Sequence, residues 1–274
     1  MNSTAKGTTV TDSGNADRRL DAVVARQAGL TRSQARALIL AGKVRIGDAP
    51  ATKPGAAVRA GASVVVEESS RFVSRGGDKL DAAFATFAID AEGLDVLDVG
   101  ASTGGFTDLL LQRGARHVTA LDVGYGQLAW KLRNDPRVTV IERTNFRTLG
   151  DDAFPAGFDL IVIDASFISL RTLVERAAAY LRSLGTIVAL VKPQFEAGRK
   201  RLGRGGVVRD RAVHAAVLRE VRDAVGASGL RVVAAAISPL RGPAGNIEFF
   251  YAIRRGGAEV TDDALEALVE HAHA

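Results

Sequence analysis

Four charged residues in this chain are suited to proton chemistry: Lys79, Asp164, Lys192 and Glu248. Lys192 follows directly on Ile187-Val188-Ala189-Leu190-Val191. Such a run reads as a strand buried on both faces, where a charge is costly unless it is used. Asp164 closes the apolar run Phe158–Asp164, Lys79 opens the helix before the first strand, and Glu248 opens the last strand. Taken singly, each charge is an ordinary surface or ion-pair residue. A lysine and a carboxylate at the ends of neighbouring strands are a candidate reacting pair. A lysine amine is normally charged, with a reference pKa of about 10.4. Burial and a second lysine nearby would lower it towards the range of a general base. Asp164 could orient that amine, and Glu248 could position Lys79 or the acceptor's ribose.

These residues need a scaffold that brings them together. Strands are read at Asp95–Gly100, His117–Asp122, Val138–Glu142, Phe158–Asp164, Thr186–Lys192, Arg231–Ser238 and Glu248–Arg254. Helices are read at Gly105–Arg113, Leu170–Leu184 and Arg211–Ser228, with another from Gly77 through Phe87. The alternation implies an α/β fold with a doubly wound, Rossmann-like sheet. The last strand follows its predecessor after a short Gly/Pro loop, too short for a helical crossover, and is expected to pair antiparallel. The 274 residues are 47% hydrophobic and 24% charged, as in a globular protein. Without cysteine there is no disulfide, thiolate metal site or cysteine nucleophile, and four scattered histidines argue against a metal centre. No apolar run reaches the ~18 residues of a membrane span, and Met1–Ala16 has no secretory core, so a cytoplasmic protein is expected.

The first strand ends in Asp98-Val99-Gly100-Ala101-Ser102-Thr103-Gly104-Gly105-Phe106. A glycine-rich turn at this point of a doubly wound sheet lies at the ligand crevice. A dinucleotide site would carry G-x-G-x-x-G for its pyrophosphate; here the pattern is G-x-S-x-G-G with an acid two positions ahead. S-adenosylmethionine has no phosphate, and its ammonium suits a carboxylate such as Asp98. Asp122, 22 residues after Gly100, would accept ribose hydroxyls of either cofactor. The combination favours a methyltransferase over a dehydrogenase. The reaction would be methyl transfer to a hydroxyl such as a ribose 2′-OH. Lys192 would engage its proton, Asp164 would also approach the sulfonium, and in-line alignment would supply much of the rate.

The N-terminal quarter is different. Residues 1–16 read as a disordered tail, 17–68 as a helix–helix–strand module, and 69–76 as a linker. The module carries a net charge of +4 within a chain of +5 that uses 29 Arg and only 7 Lys. Arginine presents a planar fork that suits phosphate. Arg18, Arg19, Arg32, Arg36 and Lys43 are the candidate phosphate contacts, Arg32 and Arg36 sharing one helix face. A second basic stretch, 192–211, has a net charge of +5 among four glycines. It reads as a mobile loop in which Arg199, Lys200, Arg201 and Arg204 would hold a phosphate backbone, RNA on the resemblance given next.

Residues 17–68 resemble an S4 RNA-binding domain through Arg19-Leu20-Asp21, Gly29-Leu30-Thr31-Arg32-Ser33-Gln34-Ala35 and Leu38-Ile39-Leu40-Ala41-Gly42-Lys43-Val44. Residues 71–255 resemble the FtsJ-type RNA ribose methyltransferases, whose K-D-K-E tetrad matches Lys79, Asp164, Lys192 and Glu248. Together, with Val73-Ser74-Arg75-Gly76-Gly77-Asp78-Lys79-Leu80, Lys192-Pro193-Gln194-Phe195-Glu196 and Gly245-Asn246-Ile247-Glu248, the chain is similar to the TlyA family. The resemblance implies S-adenosylmethionine-dependent cytidine 2′-O-methylation of 16S or 23S ribosomal RNA, or both. It implies a methyltransferase domain over 77–258, a C-terminal helix or tail over 259–274, ribosomal subunits as partners and a monomer. The cofactor set would be Asp98, Gly100, Ser102, Gly104, Gly105, Phe106, Asp122, Gly124, Asn145 and Asp164, with no metal. Two rival readings are a catalytically silent ribosome-assembly factor and a membrane-active haemolysin, a label members often carry.

Overall fold

A computed structural model describes residues 7–10, 18–40, 42–47, 49–59, 61–67 and 71–274, as backbone alone at 7–10, 18 and 67. The chain forms two compact units, Met1–Ser70 and Arg71–Ala274.

The first unit contains β1 (Gly7–Val10), β2 (Arg18–Arg19), α1 (Leu20–Ala28), α2 (Arg32–Leu40), β3 (Val44–Ile46), β4 (Ala49–Pro50), β5 (Ala57–Val58) and β6 (Val64–Glu67). Helix α2 starts in a reciprocal capping box: Thr31 N donates to Gln34 Oε1 at 2.9 Å, and Gln34 N donates to Thr31 Oγ1 at 3.3 Å. Leu20, Val23, Val24, Ala35, Ile39, Val44 and Val64 form the core between the helices and the sheet β1-β6-β3-β4. Strand β1 corrects one expectation. Residues 7–10 fall in the stretch read as a disordered tail, yet they pair antiparallel with β6 from Gly7↔Glu67 to Val10↔Val64. The physical reason is that the other edge of β6 offers unpaired backbone groups, and Thr8-Thr9-Val10 are β-branched residues that favour a strand. The rest of that tail lies outside the described residues.

The second unit runs α3 (Arg75–Phe87), β7 (Asp95–Val99), α4 (Gly105–Gln112), β8 (His117–Leu121), α5 (Trp130–Arg133), β9 (Val138–Ile141), β10 (Phe158–Ile163), α6 (Leu170–Tyr180), β11 (Leu181–Val191), α7 (Pro193–Glu196), α8 (Arg211–Ala227), β12 (Arg231–Ile237), β13 (Phe249–Arg254) and α9 (Asp262–Ala272). The seven strands follow the order β12-β13-β11-β10-β7-β8-β9. Strand β13 slots between β12 and β11, antiparallel to both, as its short connection requires. Alternate residues face opposite layers. Val96, Leu160, Val162 and Val188 pack against Leu80 and Phe84 of α3 and Leu109 and Leu110 of α4. Leu97, Ile161, Ile163 and Ile187 pack on the other side against α6, α8 and α9. Because both faces are covered, the central strands are apolar throughout.

The helix expected over Leu170–Leu184 ends at Tyr180, and Leu181 already belongs to β11. Tyr180 Oη donates to Gly150 O at 2.5 Å, and Phe158 pairs with Leu181 while Leu160 pairs with Thr186, so residues 182–185 bulge out of register. Leu184, whose spacing continued the helical pattern, is 95% exposed. Helix α3 begins two residues earlier than read, at Arg75.

Candidate active site

The C-terminal ends of β7, β8, β10 and β11 meet at one edge of the sheet, where a doubly wound fold binds its ligand. The chain leaves β7 through Gly100, in a left-handed conformation at φ 87°. Its missing side chain matters, because a Cβ there would lie 2.7 Å from Asp164 O on the neighbouring strand. Gly100 N donates to Leu121 O at 2.8 Å, and Ser102 N donates to Asp122 Oδ2 at the same distance, which pins the turn to the end of β8. Asp122 also accepts from Gly124 N at 2.6 Å.

Around this turn opens a cleft of about 590 Å³, lined in part by Gly100, Ser102, Asp122, Asn145 and Asp164. Beside it lies a second cleft of about 370 Å³, lined by Lys79, Lys192, Gly105, Phe106 and Arg241 among others. Gly100, Ser102, Asp164 and Ser166 line both. The two hollows therefore share a wall built from the turn and from the end of β10.

Two ion pairs occupy the second cleft and its floor. Lys192 Nζ lies 2.6 Å from Asp164 Oδ1 and donates to Ser166 Oγ at 2.9 Å. Lys79 Nζ donates to Glu248 Oε2 at 2.6 Å. Glu248 is 1% exposed, and its other oxygen accepts from Gln194 Nε2 at 3.3 Å. All four of the expected reacting residues are thus drawn together, although they come from 79 to 248 in the chain. Glu196, four residues after Lys192, accepts from Ser169 Oγ at 2.7 Å and from Leu170 N at 2.6 Å. It ties the loop of Lys192 to the loop of Asp164.

Asp98 does not reach either cleft. It is fully buried, and Thr107 Oγ1 on α4 donates to its Oδ2 at 2.6 Å while Oδ1 has no partner. Burial first, and the charges of Asp164 and Asp122 with it, push its pKa up to about 7, against the hydrogen bond from Thr107. The expected direct contact with a ligand ammonium is corrected to a position behind the turn. The reason is the strand period: Asp98 shares the face of Val96, which points at α3 and α4. Gly104 caps α4 at φ 96°, and like Gly124 it supports the clefts without lining them.

Pattern reading passed over Ser166, Gln194, Phe167 and Phe195. Phe167 is 90% exposed and sits at φ 64°, with its ring 5.1 Å from that of Phe195. A loop serine and a loop phenylalanine have no periodicity that could reveal them; only the pairing of β10 with β11 brings them to Lys192.

Of the expected RNA contacts, Arg36, Lys43, Arg199, Lys200 and Arg204 are exposed. Arg19 and Arg32 both reach the buried Asp21, at 2.9 and 3.1 Å, and leave more than half of each side chain exposed. Arg19 first, and Arg32 with it, hold the Asp21 carboxyl well below the usual range. The side chain of Arg18 lies outside the described residues. Arg201 is a correction. Its guanidinium is bidentate to Glu220 on α8, at 2.7 and 2.9 Å, and also donates to Ala197 O, so it anchors the loop. The loop itself holds two short 3₁₀ turns, Arg199–Arg201 and Arg204–Gly206.

Comparison with known proteins agrees with this architecture. Residues 72–255 match the FtsJ-like methyltransferase family, and residues 18–64 match the S4 domain. Fold and site thus define a methyltransferase domain carrying an S4 module. The chain belongs to the TlyA group of FtsJ-like methyltransferases. It is 49% identical over 253 residues to the 16S/23S rRNA (cytidine-2′-O)-methyltransferase TlyA of Mycobacterium tuberculosis, covering 91% of this chain and 92% of that protein. It is 41% identical to the putative rRNA methyltransferase YqxC of Bacillus subtilis, over 93% and 94% of the two chains. A putative hemolysin from Streptococcus thermophilus superposes with a TM-score of 0.73 at 39% identity, over 95% and 97% of the chains. No helix among the described residues is long and apolar enough to cross a membrane.

Proposed function

We propose that this protein methylates the ribose 2′-hydroxyl of cytidine in ribosomal RNA, with S-adenosylmethionine as donor. The observation that carries the reading is the convergence of the Lys192–Asp164 and Lys79–Glu248 pairs on a hollow that shares a wall with the glycine-turn cleft.

The residues of that cleft fit the donor. Asp122 and Asp164 line it, and both lie close enough to Asp98, buried behind the turn, to raise its pKa. Carboxylates on and behind the cleft wall favour a cationic ligand and oppose a pyrophosphate. Gly100 and Ser102 would hold its amino-acid end, on a turn that Gly104 shapes and that Gly105 and Phe106 continue along the neighbouring hollow. Asp122 would accept the ribose hydroxyls, since each carboxylate oxygen has a second lone pair beyond its backbone bond. Asn145 would border the nucleoside, and Gly124 would hold the Asp122 carboxylate from behind. When bound, this donor supplies a methyl group made electrophilic by its sulfonium.

The protein's own residues would do the rest. Lys192 is placed to take the proton of the 2′-hydroxyl, while Asp164 and Ser166 hold the amine at the junction of the hollows. Glu248, fixed by Gln194, holds Lys79 on the acceptor side. Alignment of oxygen with methyl group accounts for much of the rate, and the base adds about 10²–10⁴-fold. Arg18, Arg19, Arg32, Arg36 and Lys43 would bind RNA phosphates in the S4 module, and Arg199, Lys200 and Arg204 would do so in the basic loop. Asp21 would hold Arg19 and Arg32 ready for that contact.

The test is incubation of the purified protein with labelled S-adenosylmethionine and ribosomal RNA, followed by nucleoside mass spectrometry. The expected product is 2′-O-methylcytidine. Unlabelled RNA, or label on a base, contradicts the proposal.

A further inference from the structure

The motif Gly245-Asn246-Ile247-Glu248 contributes one reacting residue, and Asn246 beside it has no part in the chemistry. Asn246 is nonetheless 2% exposed, which is costly for an amide unless its groups are paired. Its pairing is specific. Val208 N donates to Asn246 Oδ1 at 2.9 Å, and Asn246 Nδ2 donates to Gly206 O at 3.2 Å. Both partners belong to the basic loop that carries Arg199, Lys200 and Arg204.

The same residue holds the catalytic side through its backbone. Gly242 N donates to Asn246 O at 2.9 Å, and Gly245 N donates to Gly242 O at 2.8 Å, closing a tight turn. That turn lies close against Glu248, with room for no side chain between them: a Cβ on Gly242 would stand 2.5 Å from Glu248 Oε1. Glu248 in turn holds Lys79. Arg201, bidentate to Glu220, fixes the near end of the loop to α8. The far end, Gly206–Val208, is held by Asn246.

We infer that Asn246 is a positioning residue that couples the basic loop to the Lys79–Glu248 pair, so that RNA phosphates seated on Arg199, Lys200 and Arg204 set the acceptor side of the site. The inference rests on the proposed RNA role of the loop and adds a connection to it. Consecutive glycines at 205 and 206, with φ of 75° and 73°, have no side chains to hold the tip of the loop, whereas Val208 packs into the core at its far end. The position of the tip is therefore set by what holds the segment around it. One buried amide joining two backbone groups of the loop to the turn against Glu248 is part of that hold.

A double-mutant cycle tests this. One arm replaces Arg199, Lys200 and Arg204 together by Ala. The other replaces Asn246 by Ala and, as a milder variant, Asn246→Asp, which keeps the acceptor for Val208 N and loses the donor to Gly206 O. Four readouts are taken: kcat and KM for ribosomal RNA, the salt dependence of RNA binding, S-adenosylmethionine affinity by calorimetry, and the melting temperature. Coupling predicts that Asn246→Ala lowers kcat as well as raising KM and flattens the salt dependence, with donor affinity unchanged. It also predicts that the triple substitution costs about tenfold less in kcat/KM once Asn246 is gone, the scale expected within one hydrogen-bond network. A purely structural role would lower melting temperature and donor affinity and leave the two losses additive, which overturns the inference. If the triple substitution alone changes neither RNA binding nor its salt dependence, the loop does not hold RNA, and the coupling falls with that premise. Methylation that survives in that case leaves the enzymatic reading standing.

Discussion

Replacing Asp98 by Asn should make the protein more resistant to heat at alkaline pH, with little gain in acid. In the folded chain the carboxyl titrates at about 7, against a reference of 3.8. Between these values the folded state keeps a proton that the unfolded chain has lost, so stability falls as pH rises from about 4 to 7 and stays low above. At about 1.36 kcal/mol per tenfold in proton affinity, the upper bound on this cost is roughly 4 kcal/mol. Asn removes the charge and keeps a carbonyl oxygen for the Thr107 hydroxyl. Calorimetric melting of both proteins at pH 5 and pH 8.5 reads the difference. A domain of this size shifts by about 2–4 °C per kcal/mol. The melting temperature of Asp98→Asn relative to the wild type should therefore climb by several degrees between the two pH values. A cationic donor favours the ionised carboxyl, so its binding near pH 6.5 should release protons from the wild type that the Asp98→Asn variant does not release. Parallel melting curves at the two pH values would refute the reasoning, because they would mean that Asp98 is ionised as readily as in water.

Two other perturbations are as specific. Gly100→Ala sets a Cβ against Asp164 O in a left-handed backbone; it should cost about 1–3 kcal/mol of strain and weaken donor binding by calorimetry more than tenfold, roughly 1.4 kcal/mol. His214, 0% exposed with Nδ1 at 2.8 Å from His273 Nε2, is pushed down to about 4 by burial and by its partner. Its folded pKa is thus below the unfolded value of 6.5, so stability is complete above pH 6.5 and is lost as pH falls towards 4. His214→Leu should flatten that acid limb in a melting series, and an unchanged limb would assign it to other groups.

The fold was legible because its strands are apolar on both faces and its helices are not, and that contrast survives in the order of residues. Lys192 stood out by breaking such a strand at its end. The parity of Asp98 with Val96 along the strand already aims its side chain away from the crevice. What the sequence hid depends on contacts between distant segments. Arg201 carries the same charge as its neighbours, and only the arrival of Glu220 on α8 turns it inward. Ser166 gains its meaning from the adjacency of β10 and β11. Leu184 kept the helical spacing, but the chain had already been captured at Tyr180 by Gly150. Strand β1 is too short and polar to announce itself without β6.

The most direct test of the central claim is single-turnover methylation of ribosomal RNA by Lys192→Ala, with donor and RNA binding measured on the same sample. Lys192 sits beside Asp164 and Ser166 at the junction of the two hollows. Loss of a general base predicts a rate lower by about 10²–10⁴-fold, with both bindings retained. A variant that binds both partners and transfers the methyl group at the wild-type rate would contradict it.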